Sequence, residues 1–180
     1  MVHINIITIP DTELNTLDLR TTSFTISFWH KPDTNTGYQY VFVKGINEGS
    51  NWPSNLMYGW VHGSFPTGRV AIINNSAGGR KDVLFKQTNS MLNNWNHITL
   101  TMDRNSKTFS YYYNGIFNSS ITDNSLSSSD SKINGRFTIG GHVYANGVVY
   151  SSYTGEVDEF RVYNYSMNAD QVKSLYDSYN

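Results

Sequence analysis

Trp95-Asn96-His97-Ile98-Thr99-Leu100-Thr101-Met102-Asp103-Arg104-Asn105-Ser106-Lys107-Thr108-Phe109-Ser110-Tyr111-Tyr112-Tyr113-Asn114-Gly115 reads as two strands and two turns. Ile98, Leu100 and Met102 alternate with polar residues, as do Tyr111 and Tyr113 with their neighbours, and period two is the mark of a half-buried strand. Arg104-Asn105-Ser106-Lys107 joins the two runs. Asn114-Gly115 is a dipeptide that supplies the left-handed backbone of a tight hairpin turn. The same alternation recurs at Val2, Ile4 and Ile6, with Ile9 after a break, at Phe24, Ile26 and Phe28, at Val70 and Ile72, at Phe137 and Ile139, and at Phe160 and Val162. Further Asn-Gly pairs stand at 134–135 and 146–147. Many short strands joined by such turns predict an all-β, two-sheet antiparallel sandwich of the jelly-roll kind.

One helix is predicted, at the C-terminal end. Asn168 is a good N-cap, Gln171 completes a capping box, and Met167 is placed to staple against Val172. Val172, Leu175 and Tyr176 form its apolar stripe, which should close one edge or end of the sandwich. The serine-rich run 125–131 reads as a solvated loop, and no repeat or linker divides the chain, so residues 1–180 are expected to form one domain. A chain of 180 residues can bury roughly 70% of its unfolded surface in a single core.

Thirteen basic and 14 acidic residues give a net charge of −1, and neither sign forms a run, which argues against nucleic acid or an anionic membrane as partner. The chain has no cysteine, so neither a disulfide framework nor thiol chemistry is available to it. Its apolar runs fall well short of the roughly 18 residues that suggest a membrane-spanning helix. Residues 1–10 lack the basic start and apolar centre of a signal peptide and read as a first strand. The expected setting is extracellular or a virion surface, reached as part of a parent polypeptide or a particle. Aromatic residues make up 14% of the chain, and together with its abundant Asn and Ser they favour polar loops over helices.

Five ordered segments resemble the laminin-G-like group of the concanavalin A-like lectin/glucanase superfamily. They are Phe24-Thr25-Ile26-Ser27-Phe28-Trp29-His30-Lys31-Pro32, Trp95-Asn96-His97-Ile98-Thr99-Leu100-Thr101, Tyr112-Tyr113-Asn114-Gly115, Phe137-Thr138-Ile139-Gly140-Gly141 and the stretch from Gly155 to Tyr163. The closing helix from Met167 to Tyr176 matches as well. The resemblance implies a jelly roll; it leaves function open, because the group contains lectins, adhesion modules, virion proteins and enzymes.

It also bears on Gly155-Glu156-Val157-Asp158-Glu159-Phe160-Arg161-Val162-Tyr163. Sandwich glucanases carry Glu-x-Asp-x-x-Glu, whose last carboxyl protonates the leaving sugar; here that position is Arg161, which cannot do so. Strict alternation would put Glu156, Asp158, Phe160 and Val162 on one face and Val157, Glu159 and Arg161 on the other. No catalytic residue is assigned on this reading. The stretch instead resembles the family's last strand, in which an aspartate matching Asp158 helps to hold a structural Ca2+. The resemblance implies backbone carbonyls near Ile9 and Pro10 and in the loop after Lys44-Gly45 as its other ligands. The plain alternative is that Asp158 caps neighbouring backbone amides.

Candidate ligand contacts lie where aromatics leave the strand pattern. Residues 46–60 carry Trp52, Tyr58 and Trp60 in a polar context, and residues 142–153 carry His142, Tyr144, Asn146, Tyr150 and Tyr153. A sugar presents a face of C–H groups and a rim of hydroxyls, so its site needs flat rings beside amides and hydroxyls. The plain alternatives are that Tyr58 and Trp60 begin the next strand and that Tyr150 and Tyr153 pair across strands. Trp29 and Trp95 are expected in the core, with His30 and His97 as structural histidines.

The leading expectation is a non-enzymatic, lectin-like recognition or adhesion module that binds a glycan or a protein surface. Shallow sites of that kind gain strength from repetition, which suggests a homo-oligomer or a repeated component of a larger particle. The alternatives are a virion decoration protein that uses the same fold for protein packing, and a relative of the polysaccharide hydrolases or lyases.

Overall fold

A computed structural model describes residues 6–10, 19, 21–34, 36–37, 39–44, 57–62, 67–74, 79–86, 91–126, 136–144 and 146–179, the segments between 57 and 86 by their backbone alone. Among the described residues, besides a 3-10 turn at Asn124–Leu126, fourteen strands and one α-helix follow in order: β1 (Ile7–Ile9), β2 (Phe24–Pro32), β3 (Gln39–Tyr40), β4 (Phe42–Lys44), β5 (Met57–His62), β6 (Thr67–Asn74), β7 (Gly79–Lys86), β8 (Asn96–Asp103), β9 (Thr108–Tyr113), β10 (Ile116–Thr122), β11 (Phe137–Ile139), β12 (Gly141–Val143), β13 (Val149–Ser152), β14 (Gly155–Tyr163) and α1 (Ala169–Asp177). One sheet has the order β1-β11-β4-β5-β6-β7 with β3 also paired to β5; the second has the order β10-β9-β8-β2-β14; β12 and β13 form a separate hairpin. These pairings are antiparallel throughout. The jelly-roll sandwich and its closing helix are as the sequence pattern predicts.

The core lies between the two large sheets. Phe24, Ile26 and Phe28 of β2 and Ile98, Leu100 and Met102 of β8 project into it and are almost fully buried. Four phenylalanines knit the sheets together: Phe42 stacks on Phe137 at 5.6 Å between centroids, Phe160 stacks on Phe28 at 5.5 Å, and Phe28 meets Phe42 edge-on at 5.9 Å. Such pairs add to the burial of the rings themselves.

Three sequence expectations change. First, α1 lies over the outer face of the five-stranded sheet rather than on an edge or end: Val172 and Met167 are buried against Tyr112 of β9, and Tyr176 stacks on Trp29 of β2 at 5.8 Å. Small polar residues on that face make room for it, and Thr25, Ser27, Thr99 and Thr101 are buried although they point away from the core. Thr25 Oγ1 donates to the Tyr165 carbonyl (2.8 Å) and accepts the Met167 amide (2.9 Å), so one hydroxyl fixes the entry to the helix. The Asn168 capping box forms as predicted.

Second, the alternation in β14 breaks at a β-bulge between Asp158 and Arg161, where Glu159 takes φ +50°. The extra residue shifts the phase. Val157, Phe160 and Val162 therefore all pack against the core, and Arg161 pairs with Ser27 on the strand beyond the bulge as Asp158 pairs with Trp29 before it. Third, Trp95 is 42% exposed and Trp29 is covered by the helix, so neither tryptophan belongs to the core.

Candidate functional site

The β12–β13 hairpin gathers three of the predicted contact residues and adds one. The His142 ring lies 5.3 Å from Tyr40, 5.5 Å from Tyr144 and 5.5 Å from Tyr150, and Tyr144 and Tyr150 are 5.2 Å apart. Tyr40, carried by β3, is the member that sequence reasoning missed, and a two-residue strand offers no periodicity that could have revealed it. The cluster is graded in depth. Tyr40 and His142 are buried at its base, Tyr144 is half-buried, and Tyr150 stands exposed at its rim beside Val148 and Val149. Burial pushes the His142 imidazole down to about 4, so its ring is neutral at physiological pH.

The hairpin is fixed to the sandwich at its base. The Gly140 amide donates to the Val41 carbonyl (2.7 Å), Thr138 Oγ1 donates to the Gly141 carbonyl (2.7 Å), and the Thr154 amide donates to the buried Gln39 side chain (2.8 Å). A Cβ on Gly141 would stand 2.7 Å from Ile6 Cδ1 and 2.8 Å from the Ser151 carbonyl oxygen, so only glycine permits this close approach. Asn146 acts in the turn, where Oδ1 accepts the Val148 amide (3.0 Å) next to Gly147 at φ +84°.

The other predicted contacts are distributed differently. Tyr153 packs against the core and bonds His30 Nδ1 through its hydroxyl (2.9 Å), and burial pushes that phenol above its usual range. Tyr58 and Trp60 lie within β5, as the plain alternative had it. The register places Val61, the neighbour of Trp60, opposite Tyr40, so this backbone runs beside the base of the cluster. Trp52 and the rest of 45–56 lie outside the described residues.

Beneath α1, Ser27 Oγ and His97 Nε2 are 2.8 Å apart, the geometry of a nucleophile and its base. Their surroundings oppose that role. Both residues are fully buried, and Trp29, Tyr176 and Tyr179 crowd the imidazole at 5.0 to 5.7 Å. Burial, with the nearby Arg161 charge second, holds the His97 imidazole down at about 4. No acidic partner meets His97 Nδ1 among the described residues. The pair fixes the floor under the helix.

Asp158 Oδ1 accepts the Glu159 amide (2.7 Å) across the bulge, the capping role considered for it. Asp158 is exposed, and one carboxylate needs several further oxygen ligands to hold Ca2+. Among the described residues no three His, Asp or Glu side chains gather as a metal site. The loop after Lys44, implied as a further donor, lies outside them. Among the described residues no helix is long and apolar enough to cross a membrane.

Comparison with known proteins bears on this geometry. The sequence model of the concanavalin A-like lectin/glucanases superfamily matches residues 6–173. No curated protein sequence matches the chain. Among solved structures, the Ruminococcus gnavus IT-sialidase CBM40 superposes with a TM-score of 0.70 at 14% identity, over 87% of this chain and 83% of that one. The NanB sialidase of Streptococcus pneumoniae gives 0.75 at 20% identity over 93% of this chain, which spans only 26% of that enzyme. The binding domain of botulinum neurotoxin DC, solved with rat synaptotagmin II, gives 0.62 at 15% identity over 97% of this chain and 40% of that one. At these identities the likeness is one of fold.

Proposed function

The chain belongs to the concanavalin A-like lectin/glucanases superfamily, and from that premise we propose that it is a lectin-like recognition module whose ligand surface is the β12–β13 hairpin. The observation that carries the reading is the graded ring cluster of Tyr40, His142, Tyr144 and Tyr150 on a hairpin fixed at its base. A rigid scaffold that presents half-exposed rings loses little entropy when a ligand stacks on them. The R. gnavus module has been solved with alpha2,3 sialyllactose, which supports a glycan as the ligand class.

A glycan array with neutral and sialylated members tests this. Tyr150→Ala should weaken binding about tenfold, the worth of one aromatic stack, with unfolding unchanged because the ring is exposed. Binding that survives both Tyr150→Ala and Tyr144→Ala would remove the hairpin from the site.

A second reading, packing against a protein as in a particle decoration protein, draws on the exposed aliphatic residues Val148 (55%) and Val149 (44%) beside Tyr150. Aliphatic side chains suit a protein surface better than a sugar rim. Val148→Asp would then abolish assembly or co-purification with a particle while leaving glycan binding in place. Calcium belongs to either reading as a structural addition at Asp158.

A further inference from the structure

Trp95 has too much structure behind it for an incidental surface residue. The loop that presents it, 91–95, is locked by Asn96, whose amide is 1% exposed. Asn96 Nδ2 donates to the carbonyls of Met91 (2.9 Å), Asn94 (2.6 Å) and, more weakly, His30 (3.4 Å), and Oδ1 accepts the Tyr113 hydroxyl (2.7 Å). Asn93 adopts φ +57° and donates its amide to the Pro32 carbonyl (2.8 Å). Asn96 is the buried centre of this network, and its bonds hold in place a loop that exposes Asn93, Asn94 and the Trp95 indole.

An ion pair stands at that indole, with its ammonium over the ring. Lys31 Nζ lies 5.8 Å from the Trp95 ring centroid and 2.5 Å from Glu156 Oε1. Lys31 and Glu156 are direct partners across β2 and β14, while Trp95 immediately precedes Asn96, the β8 partner of His30. The three side chains thus form a row across three strands on the outer face of the five-stranded sheet. α1 covers the next row, Trp29 and His97, and the Trp95 row remains solvent-facing.

We infer that Trp95, Lys31 and Glu156 form a second carbohydrate site, distinct from the hairpin, that takes a neutral pyranose. The indole receives the C–H face of the sugar as the Lys31 ammonium over it moves to the rim. The ammonium donates to, and the carboxylate accepts from, hydroxyls on adjacent ring carbons, which present an acceptor and a donor side by side as this pair does. The ion pair cancels its own charge, so an anionic sugar gains nothing over a neutral one. The loop is ordered beforehand, which spares the ligand the cost of ordering it.

The test is a titration of the full chain with cellotetraose, maltotetraose and an array of neutral glycans, following the Trp95 indole N–H by NMR. At least one neutral saccharide should shift that resonance, Trp95→Ala should weaken its binding about tenfold, and Lys31→Gln should weaken it severalfold. Tyr150→Ala should leave the indole shift intact, which separates this site from the hairpin. Binding that is lost in Tyr150→Ala but unchanged in Trp95→Ala would overturn the inference and leave the hairpin reading standing. Silence of the Trp95 resonance toward every neutral saccharide, or a response to anionic sugars alone, would also overturn it.

Discussion

Two buried neutral histidines should make the fold acid-sensitive in a window where most proteins are flat. His97 and His142 are held near 4, against 6.5 for an exposed imidazole. Between those values the unfolded chain binds a proton at each position and the folded chain does not, so stability falls as pH falls. At pH 5 each histidine costs about 2 kcal/mol and the two together about 4, whereas at pH 7.5 neither costs anything measurable. That loss is a large part of the roughly 5–15 kcal/mol that holds a typical domain together. Urea unfolding of wild type at pH 7.5 and 5.0 measures it. His97→Gln keeps an amide toward Ser27, and His142→Phe keeps a ring among Tyr40, Tyr144 and Tyr150. Each variant should lose about half of the pH dependence whatever its stability at neutral pH. Subtracting variant from wild type at each pH removes the contribution of every other titrating group. Asp103, held below its usual range mainly by the Ser106 hydroxyl, contributes stability that is lost only below about pH 4, outside this window. A wild type that changes by less than about 1 kcal/mol, or variants that keep the wild-type slope, would refute the claim that these rings are buried neutral.

Three further outcomes follow from particular contacts. Thr25→Val strands the buried Met167 amide and Tyr165 carbonyl and should lower the urea midpoint by an amount equal to about 2 kcal/mol, with the slope unchanged. Gly115→Ala places a Cβ 2.9 Å from Tyr176 Cβ at a residue with φ +76°, and should cost at least about 1–2 kcal/mol and alter the near-ultraviolet circular dichroism of the Trp29–Tyr176 stack. If Asp158 holds Ca2+, EDTA lowers the thermal midpoint and Asp158→Asn abolishes that response; a midpoint indifferent to EDTA removes calcium from the proposal.

The inward faces were legible because one side of each strand is plainly apolar: Phe24, Ile26 and Phe28, or Ile98, Leu100 and Met102, admit one orientation. The outward face of the same strands misled, because Thr25, Ser27, Thr99 and Thr101 carry the chemistry of solvent-facing residues and are buried by a helix about 70 residues further along the chain or more. Trp95 was readable and misread. It has the same strand parity as His97, opposite to Ile98, so alternation puts it outside, against the general preference of tryptophan for burial. The bulge at Glu159 left no trace in the sequence, since neither a glycine nor a break in polarity marks the left-handed residue. The ring cluster on the hairpin was half legible: rings outside the strand pattern pointed to His142, Tyr144 and Tyr150, whereas Tyr40 joins them through tertiary packing.

The bulge also decides what the acidic stretch near the C-terminus can do. A retaining glycosidase sets two carboxyls about 5–5.5 Å apart across the scissile bond and leaves both free to act. Here the bulge turns Arg161 onto the outer face with Glu156 and Asp158, and every charged group acquires a local partner. Glu156 pairs with Lys31, Glu159 pairs with Arg161, Asp158 caps the Glu159 amide, and the Arg161 guanidinium lies 5.3 Å from the Tyr179 ring. Arg161 thus contacts the segment just after α1 from the position where a glucanase carries its acid. Glu156→Gln then separates two roles for the same carboxylate. If it serves catalysis, saccharide turnover disappears; if it serves the Trp95 platform, saccharide binding weakens and no turnover is present to lose.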